Sequence, residues 1–187
     1  MKATEGGKTI SVLGFRDIKI GEVDAFFKDI RASICPATVQ IVDAAKVAGK
    51  SHLFFAFLNA QKSFEQRRAI SGNLEMETLL YAAGTRQISR AIETMGVKPQ
   101  TSSIIAMIFS PSEREVVEAE CKLMKLVSGV RDDSVLDVEG RGKVESLMAA
   151  FGVTELELKT MTSPGTAVSE ALTWLIVERV SLLTVKR

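Results

Sequence analysis

Three helical patterns joined by very short turns, between residues 52 and 96, constrain the fold of this chain most strongly. The first pattern covers 52–68, the second covers 74–83, and the third begins after Thr85 and ends at Gly96. In each pattern the apolar residues recur at helical spacing, which places them on one face. Turns this short bring consecutive helices side by side, so the segment predicts a compact helical subunit within one domain. The predicted inward face of the third helix is Ile88, Ala91, Ile92 and Met95.

The turn between the second and third helices, Gly84-Thr85-Arg86-Gln87-Ile88, has an unusual charge. Gly84 is the predicted left-handed residue that ends the second helix, and Thr85 is the predicted N-cap of the third. This places Arg86 and Gln87 in a first helical turn, where negative charge is normally favoured. An arginine at this position is unfavourable unless an anion is brought to it.

Predicted strands lie on both sides of the helical segment. Short apolar, partly β-branched stretches at 9–15, 37–44 and 100–110 predict three strands. The stretches 134–138 and 154–160 predict a short strand and an edge strand. We therefore expect the α/β (α+β) class, with all 187 residues in a single domain. The expected architecture is a mixed four- to five-stranded sheet flanked by helices.

Four further helices are expected outside the central segment. Apolar spacing predicts one at 22–34 and one at 144–151, which Gly152 ends. Ser110-Pro111-Ser112-Glu113 resembles a capping box that opens a helix reaching about residue 127. Ser163-Pro164 is expected to open the last helix. Between these helices, the polar, glycine-bearing stretch 128–142 is the best candidate for a mobile loop or an insertion.

Composition limits the classes of partner. The net charge is only +1, so contact with nucleic acid would need a local basic patch. Cys35 and Cys121 lie far apart without CxxC spacing and are expected to be reduced core thiols. No apolar stretch resembles a signal peptide or reaches the roughly 18 residues of a transmembrane helix. We therefore expect a soluble, cytoplasmic protein.

Sequence motifs of common enzymes are absent. The single histidine, His52, leaves no material for a metal triad, and no phosphate-binding loop or nucleophile elbow is present. Glu75 and Glu77 diverge on a helix, and Asp132-Asp133 is typical of a solvated loop. These observations favour binding or regulation over catalysis, with no catalytic residue, no metal and no cofactor.

The segment from 52 to 109 resembles the PRPK-binding protein family, the kinase-binding small subunit of the KEOPS complex, and its archaeal branch in particular. The matching motifs are ETLLY at 77–81, GTRQI at 84–88 and MGV at 95–97. The stretch VQIVDAAKVAG at 39–49 also fits the strand and loop that precede them.

The resemblance implies a specific biological role. KEOPS makes the threonylcarbamoyl modification of adenosine 37, next to the anticodon of tRNA, and a different subunit is catalytic. The family member binds and stimulates the small atypical kinase of the complex and recruits tRNA through its 3′ CCA end. It implies no small-molecule substrate and no membrane partner. Two alternatives stay open: an enzyme with an unrecognised site, and a structural or small-ligand binding module of the same fold without an RNA role.

A basic surface is the expected tRNA site. Arg86 and Arg90 are one helical turn apart, while Gln87 can bond a base edge or a ribose and Tyr81 can stack on a base. The expected tRNA-binding residues are Arg86, Gln87, Arg90, Arg67, Arg68, Lys46, Lys50, His52 and Tyr81. If the three helices pack as neighbours, these side chains converge on one rim. In the alternative interpretation, Arg86 and Arg90 pair with Glu93 or Glu75 and only solubilise the helix.

The last helix is the expected kinase-binding element. Its apolar residues cover more of its circumference than one core-facing stripe requires, so a second face needs a partner. The expected interface residues are Trp174, Leu175, Ala171, Leu172, Glu178 and Leu182. In the alternative interpretation, it is simply a central helix of the fold.

Overall fold

An antiparallel five-stranded sheet lies at the centre of the computed structural model, which describes residues 1–162 and 165–184. The strands are β1 (Lys2–Glu5), β2 (Lys8–Arg16), β3 (Thr38–Asp43), β4 (Ile104–Ser110) and β5 (Val130–Arg131). The helices are α1 (Val23–Ile34), α2 (Gly49–Glu65), α3 (Leu74–Ala82), α4 (Ile88–Met95), α5 (Glu113–Leu126), α6 (Arg141–Phe151), α7 (Glu155–Met161) and α8 (Val168–Ser181). The predicted α+β class is confirmed, with helices flanking the sheet.

Strand β4 is the centre of the sheet and is buried on both faces. Its side chains alternate between two cores. Ile105, Met107 and Phe109 pack under α2, α3, α4, α6 and α8. Ile104, Ala106 and Ile108 pack under α1 and α5. Because both faces are covered, the strand is an unbroken apolar run, and it is recognisable in the sequence for that reason.

Strands β2 and β3 lie on either side of β4, and both run antiparallel to it. They are therefore parallel to each other but not adjacent, which makes β2–α1–β3 a split βαβ unit. All pairings among the described residues are antiparallel, so the expectation of a mixed sheet is wrong. The physical reason is that β4 inserts between the two parallel strands and pairs with both.

The stretch 154–160 is helical, so the predicted edge strand is wrong. Thr154 Oγ1 accepts a hydrogen bond from Glu157 N over 3.2 Å, and the Glu157 carboxylate accepts one from Thr154 N over 2.7 Å. This reciprocal capping box starts α7 and outweighs the alternating pattern of the sequence. The predicted strand at 134–138 is also wrong, because that stretch begins with a 3-10 turn, Asp133–Leu136.

The segment 128–142 is fastened to β2. Asp132 N donates to Gly14 O over 2.9 Å, and Gly14 N donates to the Asp133 carboxylate over 2.8 Å. A Cβ at Gly14 would lie 2.4 Å from Asp132 O, so only glycine permits this approach. Leu136 is fully buried. Mobility of the segment stays a prediction, and these contacts weigh against it.

Two smaller expectations need correction, and a third lies outside the described residues. The N-cap of α5 is Ser112, which accepts a hydrogen bond from Glu115 N, so the cap lies two residues later than the predicted box at 110–113. Cys35 and Cys121 are free, as expected, but exposed rather than in the core. Ser163-Pro164 lies outside the described residues, and α8 begins at Val168.

Helix α3 ends in a Schellman motif, as Gly84 predicts. Gly84 has a φ of +61°, its N–H donates to Tyr81 O over 2.9 Å, and Thr85 N donates to Leu80 O over 3.1 Å. These two bonds satisfy carbonyls that the helix end would otherwise leave without donors.

Thr85 is not the N-cap of α4, because that helix begins three residues later. The N-cap is Gln87, whose N–H donates to Thr85 Oγ1 over 3.3 Å in a local turn. Arg86 and Gln87 therefore precede the helix instead of forming its first turn.

Replacing Gly84 with alanine should destabilise the protein by about 1 kcal/mol, because an L-residue is strained at this φ. A Cβ there meets nothing within 4 Å, so the cost comes from the backbone alone. Gly142→Ala is the matched control: it lies in the first turn of α6, also with open space, and should stabilise by about 0.5 kcal/mol. Urea unfolding measures both, and a neutral Gly84→Ala would contradict the assignment.

Candidate functional site

His52 lies in the interior, near the start of α2. Its Nδ1 accepts a hydrogen bond from Ala48 N over 3.1 Å, and its Nε2–H donates to Ala82 O over 2.8 Å. Burial lowers the pKa of His52 from 6.5 to about 4, so the imidazole is neutral. The prediction of a surface histidine that contacts tRNA is therefore wrong.

Tyr81 is buried as well, so the prediction that it stacks on a base is wrong. Its hydroxyl lies 3.0 Å from Ser63 Oγ, which ties the end of α3 to the last turns of α2.

Helix α2 separates the predicted cations into two groups. Lys46 and Lys50 lie at its beginning, where Lys46 Nζ donates to Ser146 Oγ over 2.8 Å. Arg67 and Arg68 follow its other end. A helix of 17 residues is about 25 Å long, so these cations do not converge on one rim. The expectation of a single rim is wrong, whereas the RNA contacts of the four residues stay predictions.

Arg67 ends α2 in the left-handed conformation, with a φ of +55°. Arg68 N donates to Ser63 O over 2.8 Å and Arg67 N donates to Phe64 O over 3.0 Å, which are the bonds of a Schellman motif. Glycine normally occupies this position, and an arginine there is uncommon. Both arginine side chains are exposed, and neither forms an ion pair within the described part of the chain.

A buried carboxylate holds the middle of the α2–α3 turn. Glu77 Oε2 accepts hydrogen bonds from Ile70 N over 3.0 Å and from Ser71 N over 2.8 Å. Oε1 of Glu77 is buried too and has no hydrogen-bond partner among the described residues. The ETLLY motif contains this residue, but its sequence context does not reveal that it reaches back to the preceding turn.

A polar cavity of about 270 Å³ lies at the α3–α4 turn. Its lining includes Gly84, Thr85, Arg90, Thr94, Phe151 and Arg179. Arg90 forms no ion pair with any described residue, so the alternative in which it pairs with Glu93 or Glu75 is wrong for Arg90. Arg86 and Gln87 are exposed in the turn that leads into α4. Two guanidinium groups and two hydroxyls around a small cavity suit a phosphate group.

Arg179 is a member of this cavity that sequence reasoning missed. Its Nη1 donates to Phe151 O over 2.6 Å and to Gly152 O over 2.9 Å, at the end of α6. Its Nη2 donates to the Glu157 carboxylate over 2.6 Å. These bonds hold the guanidinium at the cavity wall. No periodic pattern connects α8 to the α3–α4 turn, so only the tertiary structure reveals the pairing with Arg90.

Helix α4 buries a narrower face than predicted. Ala91 and Met95 are buried as expected, but Ile88 is 42% exposed and Ile92 is 49% exposed. The prediction is wrong for these two residues because this short helix rests on the core along one stripe only.

Helix α8 divides the predicted kinase-binding residues into two sets. Ala171, Leu172 and Leu175 are buried in the protein's own core, so they are not available as an interface. This half of the prediction is wrong because α2 packs against that face of α8. For these residues the alternative interpretation, a central helix of the fold, is correct.

None of the described helices combines the length and apolar character needed to cross a bilayer.

The other set forms an exposed stripe on α8. Trp174, Glu178 and Leu182 follow one another at one-turn intervals, and Trp174 is 45% exposed. The Phe55 ring of α2 lies edge-on to Trp174, with 6.0 Å between the ring centroids. This aromatic stripe, Phe55 with Trp174, Glu178 and Leu182, is an apolar surface with one carboxylate.

A larger cavity, about 570 Å³, lies beside the loop that leads into β4. Lys143 borders it and donates to Val135 O over 2.7 Å and to Asp137 O over 2.9 Å. Burial lowers the pKa of Lys143 to about 8. Because both of its acceptors are backbone carbonyls, Lys143 holds the preceding segment in place and has a structural role.

Asp132 and Asp133 are bound to arginines instead of lying free in solvent. Arg16 Nε is 2.9 Å from Asp132, and Arg131 Nη2 is 2.8 Å from Asp133. Hydrogen bonds lower the pKa of both carboxyls, and those to Asp132 come mainly from Ser134. Within residues 1–162 and 165–184, no three His, Cys, Asp or Glu side chains are placed to hold a metal ion.

His52→Gln should remove a pH dependence of stability. The unfolded state binds a proton near pH 6.5 and the folded state only near pH 4, so the free energy of unfolding falls as the pH drops between these values. At pH 4.5 the loss is about 2.5 kcal/mol relative to pH 7.5. Urea unfolding measures this at both pH values. The difference in free energy of unfolding between wild type and variant should be smaller at pH 4.5 than at pH 7.5 by that amount. A difference that does not change with pH would show that His52 titrates normally.

Comparisons with known proteins agree with the resemblance of the central segment. The model of the family described as kinase binding protein CGI-121 matches residues 21–183. A protein of Methanocaldococcus jannaschii named regulatory protein Cgi121 is 34% identical over 99 residues, which are 53% of this chain. The chain spans only 60% of the length of that relative. Because the family match covers most of the sequence, this protein belongs to the kinase binding protein CGI-121 family.

Proposed function

We propose that the protein is a non-catalytic regulatory subunit of the KEOPS complex. In this role it binds and stimulates the small atypical kinase and recruits tRNA through its 3′ CCA end for threonylcarbamoylation of adenosine 37. Family membership supports the kinase-binding part. The observation that carries the RNA part is the cavity at the α3–α4 turn, where Arg90 and Arg179 face Thr85.

The size and chemistry of the cavity favour a single-stranded RNA end. A volume of about 270 Å³ admits a phosphate with part of a nucleotide but excludes a duplex. Arg90 has no ion pair to break within the described residues, so its guanidinium is available to a phosphate. Gln87 is exposed three residues before Arg90 in the sequence and can bond a ribose hydroxyl or a base edge.

The aromatic stripe on α8 suits the kinase. Tryptophan is the residue type most enriched among interface residues whose removal costs most affinity. Trp174 is already braced by Phe55, so little side-chain freedom remains to be lost on binding. Arg179 follows Glu178 directly, so α8 contributes to both the stripe and the RNA cavity.

Arg90→Gln should lower the affinity for tRNA about tenfold at low salt, because it removes one charge-assisted contact with phosphate. The slope of log affinity against log salt should become shallower by about one unit. Filter binding of tRNA with and without its terminal CCA, at two salt concentrations, measures both effects. Arg114→Gln on α5 is the matched control, since that helix covers the opposite face of the sheet and Arg114 is highly exposed.

Equal binding of intact and CCA-less tRNA would contradict recruitment through the 3′ end. No RNA binding, with kinase binding retained, would favour the alternative of a module without an RNA role.

Trp174→Ala should weaken binding to the KEOPS kinase subunit of the same organism by about 30-fold, which corresponds to about 2 kcal/mol. Titration calorimetry measures the affinity, and filter binding should show unchanged affinity for tRNA. Met124→Ala on α5 is the control, because Met124 is also 45% exposed but lies across the sheet from the stripe. Kinase binding that is unaffected by Trp174→Ala would exclude the stripe as the docking face.

A further inference from the structure

The α2–α3 turn, residues 66–73, combines two features that a simple connection does not need. A non-glycine residue, Arg67, adopts the left-handed conformation with a φ of +55°. A fully buried carboxylate, Glu77, holds the turn through two backbone N–H groups. Left-handed side-chain-bearing residues and buried polar atoms without partners both cost free energy and cluster where function demands a particular shape.

The Schellman bonds of Arg67 and Arg68 attach the start of the turn to α2, whereas the middle of the turn has few other attachments. Most of its residues are exposed, and its end is fixed locally by Asn73, whose side chain accepts from Met76 N over 3.0 Å. The bonds from Ile70 and Ser71 to Glu77 are therefore the anchor for the middle of the turn. A carboxylate forms stronger bonds with N–H groups than a neutral amide does, which explains an acidic residue at a fully buried position.

The rigid turn presents two adjacent positive charges to solvent. Arg67 and Arg68 are exposed and form no ion pair within the described part of the chain. Neighbouring arginines without acidic partners on a fixed backbone match consecutive phosphates of a nucleic-acid strand.

The turn and the cavity lie at opposite ends of α3. The turn precedes Leu74, whereas Gly84 and Thr85 at the cavity follow Ala82. A helix of nine residues is about 13 Å long, so a phosphate at the turn belongs to a different nucleotide from one in the cavity.

We propose that Glu77 is a positioning residue that rigidifies the α2–α3 turn so that Arg67 and Arg68 bind RNA backbone phosphates beyond the terminal CCA. This inference rests on the proposed function, since it takes tRNA as the ligand. It adds a second phosphate contact and the buried residue that shapes it.

The test compares Arg67→Gln/Arg68→Gln with Glu77→Gln in filter binding to tRNA with and without its CCA end. The double arginine variant should lose about tenfold in affinity for both RNAs and lower the salt slope by one to two units. Glu77→Gln should reproduce most of this loss without removing an arginine. In the triple variant, Glu77→Gln should add nothing further to the arginine loss.

Two readouts separate positioning from general destabilisation. In Glu77→Gln, hydrogen exchange should accelerate at the Ile70 and Ser71 amides, while affinity for the kinase subunit stays unchanged. Asp132→Asn is the matched control: it also removes a carboxylate that accepts a bond from a backbone N–H, that of Ser134 in the segment 128–142, and should leave RNA binding intact.

Unchanged RNA binding in the double arginine variant would overturn the inference, and exposed arginines can be replaced without loss of folding. Additive losses in the triple variant would also overturn it, because they would mean that Glu77 acts independently of the two arginines. If Arg90→Gln still lowers the affinity for tRNA and binding still depends on the CCA end, while the variants of the α2–α3 turn have no effect, only the second phosphate contact is refuted. If all RNA effects are missing, the proposed function fails.

Discussion

The hydrogen bond from His52 to the carbonyl of Ala82 positions the candidate RNA site. It joins the start of α2 to the last residue of α3, and the α3–α4 turn follows directly. The His52 ring also contacts the Phe151 ring, with centroids 5.3 Å apart, and the carbonyl of Phe151 binds Arg179. One neutral imidazole thus fixes three of the elements that form the cavity. The buried position of the His52 ring depends on the ring remaining neutral.

Patterns local in sequence predicted most of the fold. The apolar run of β4 and the glycine at Gly84 each carry their cause within a few residues, so β4 and the end of α3 could be identified. The capping box of α7 is equally local, but the alternating apolar and polar residues of the same stretch indicate a strand. Where two local signals compete, the hydrogen bonds at a helix start decide the structure.

The candidate site was less accessible to sequence reasoning because its causes are distant in the chain. Arg90 was identified from its spacing, but Arg179 reaches the same cavity from α8 through bonds to α6 and α7. His52 was assigned to the surface because its acceptor, Ala82, lies thirty positions later in the sequence. Residue type suggests what a side chain can bind, whereas the packing of helices decides whether it binds solvent or the core.

The central position of β4 has a consequence for synthesis on the ribosome. β2 and β3 pair with each other only through β4, which begins at Ile104. A nascent chain that has emerged as far as α4 therefore has two apolar strands with unpaired edges, a state prone to association with other chains. The compact helices between β3 and β4 can form earlier, because their contacts are more local. Completion of β4 joins the two strands, and the helices that follow it, α5, α6 and α8, then complete the two cores.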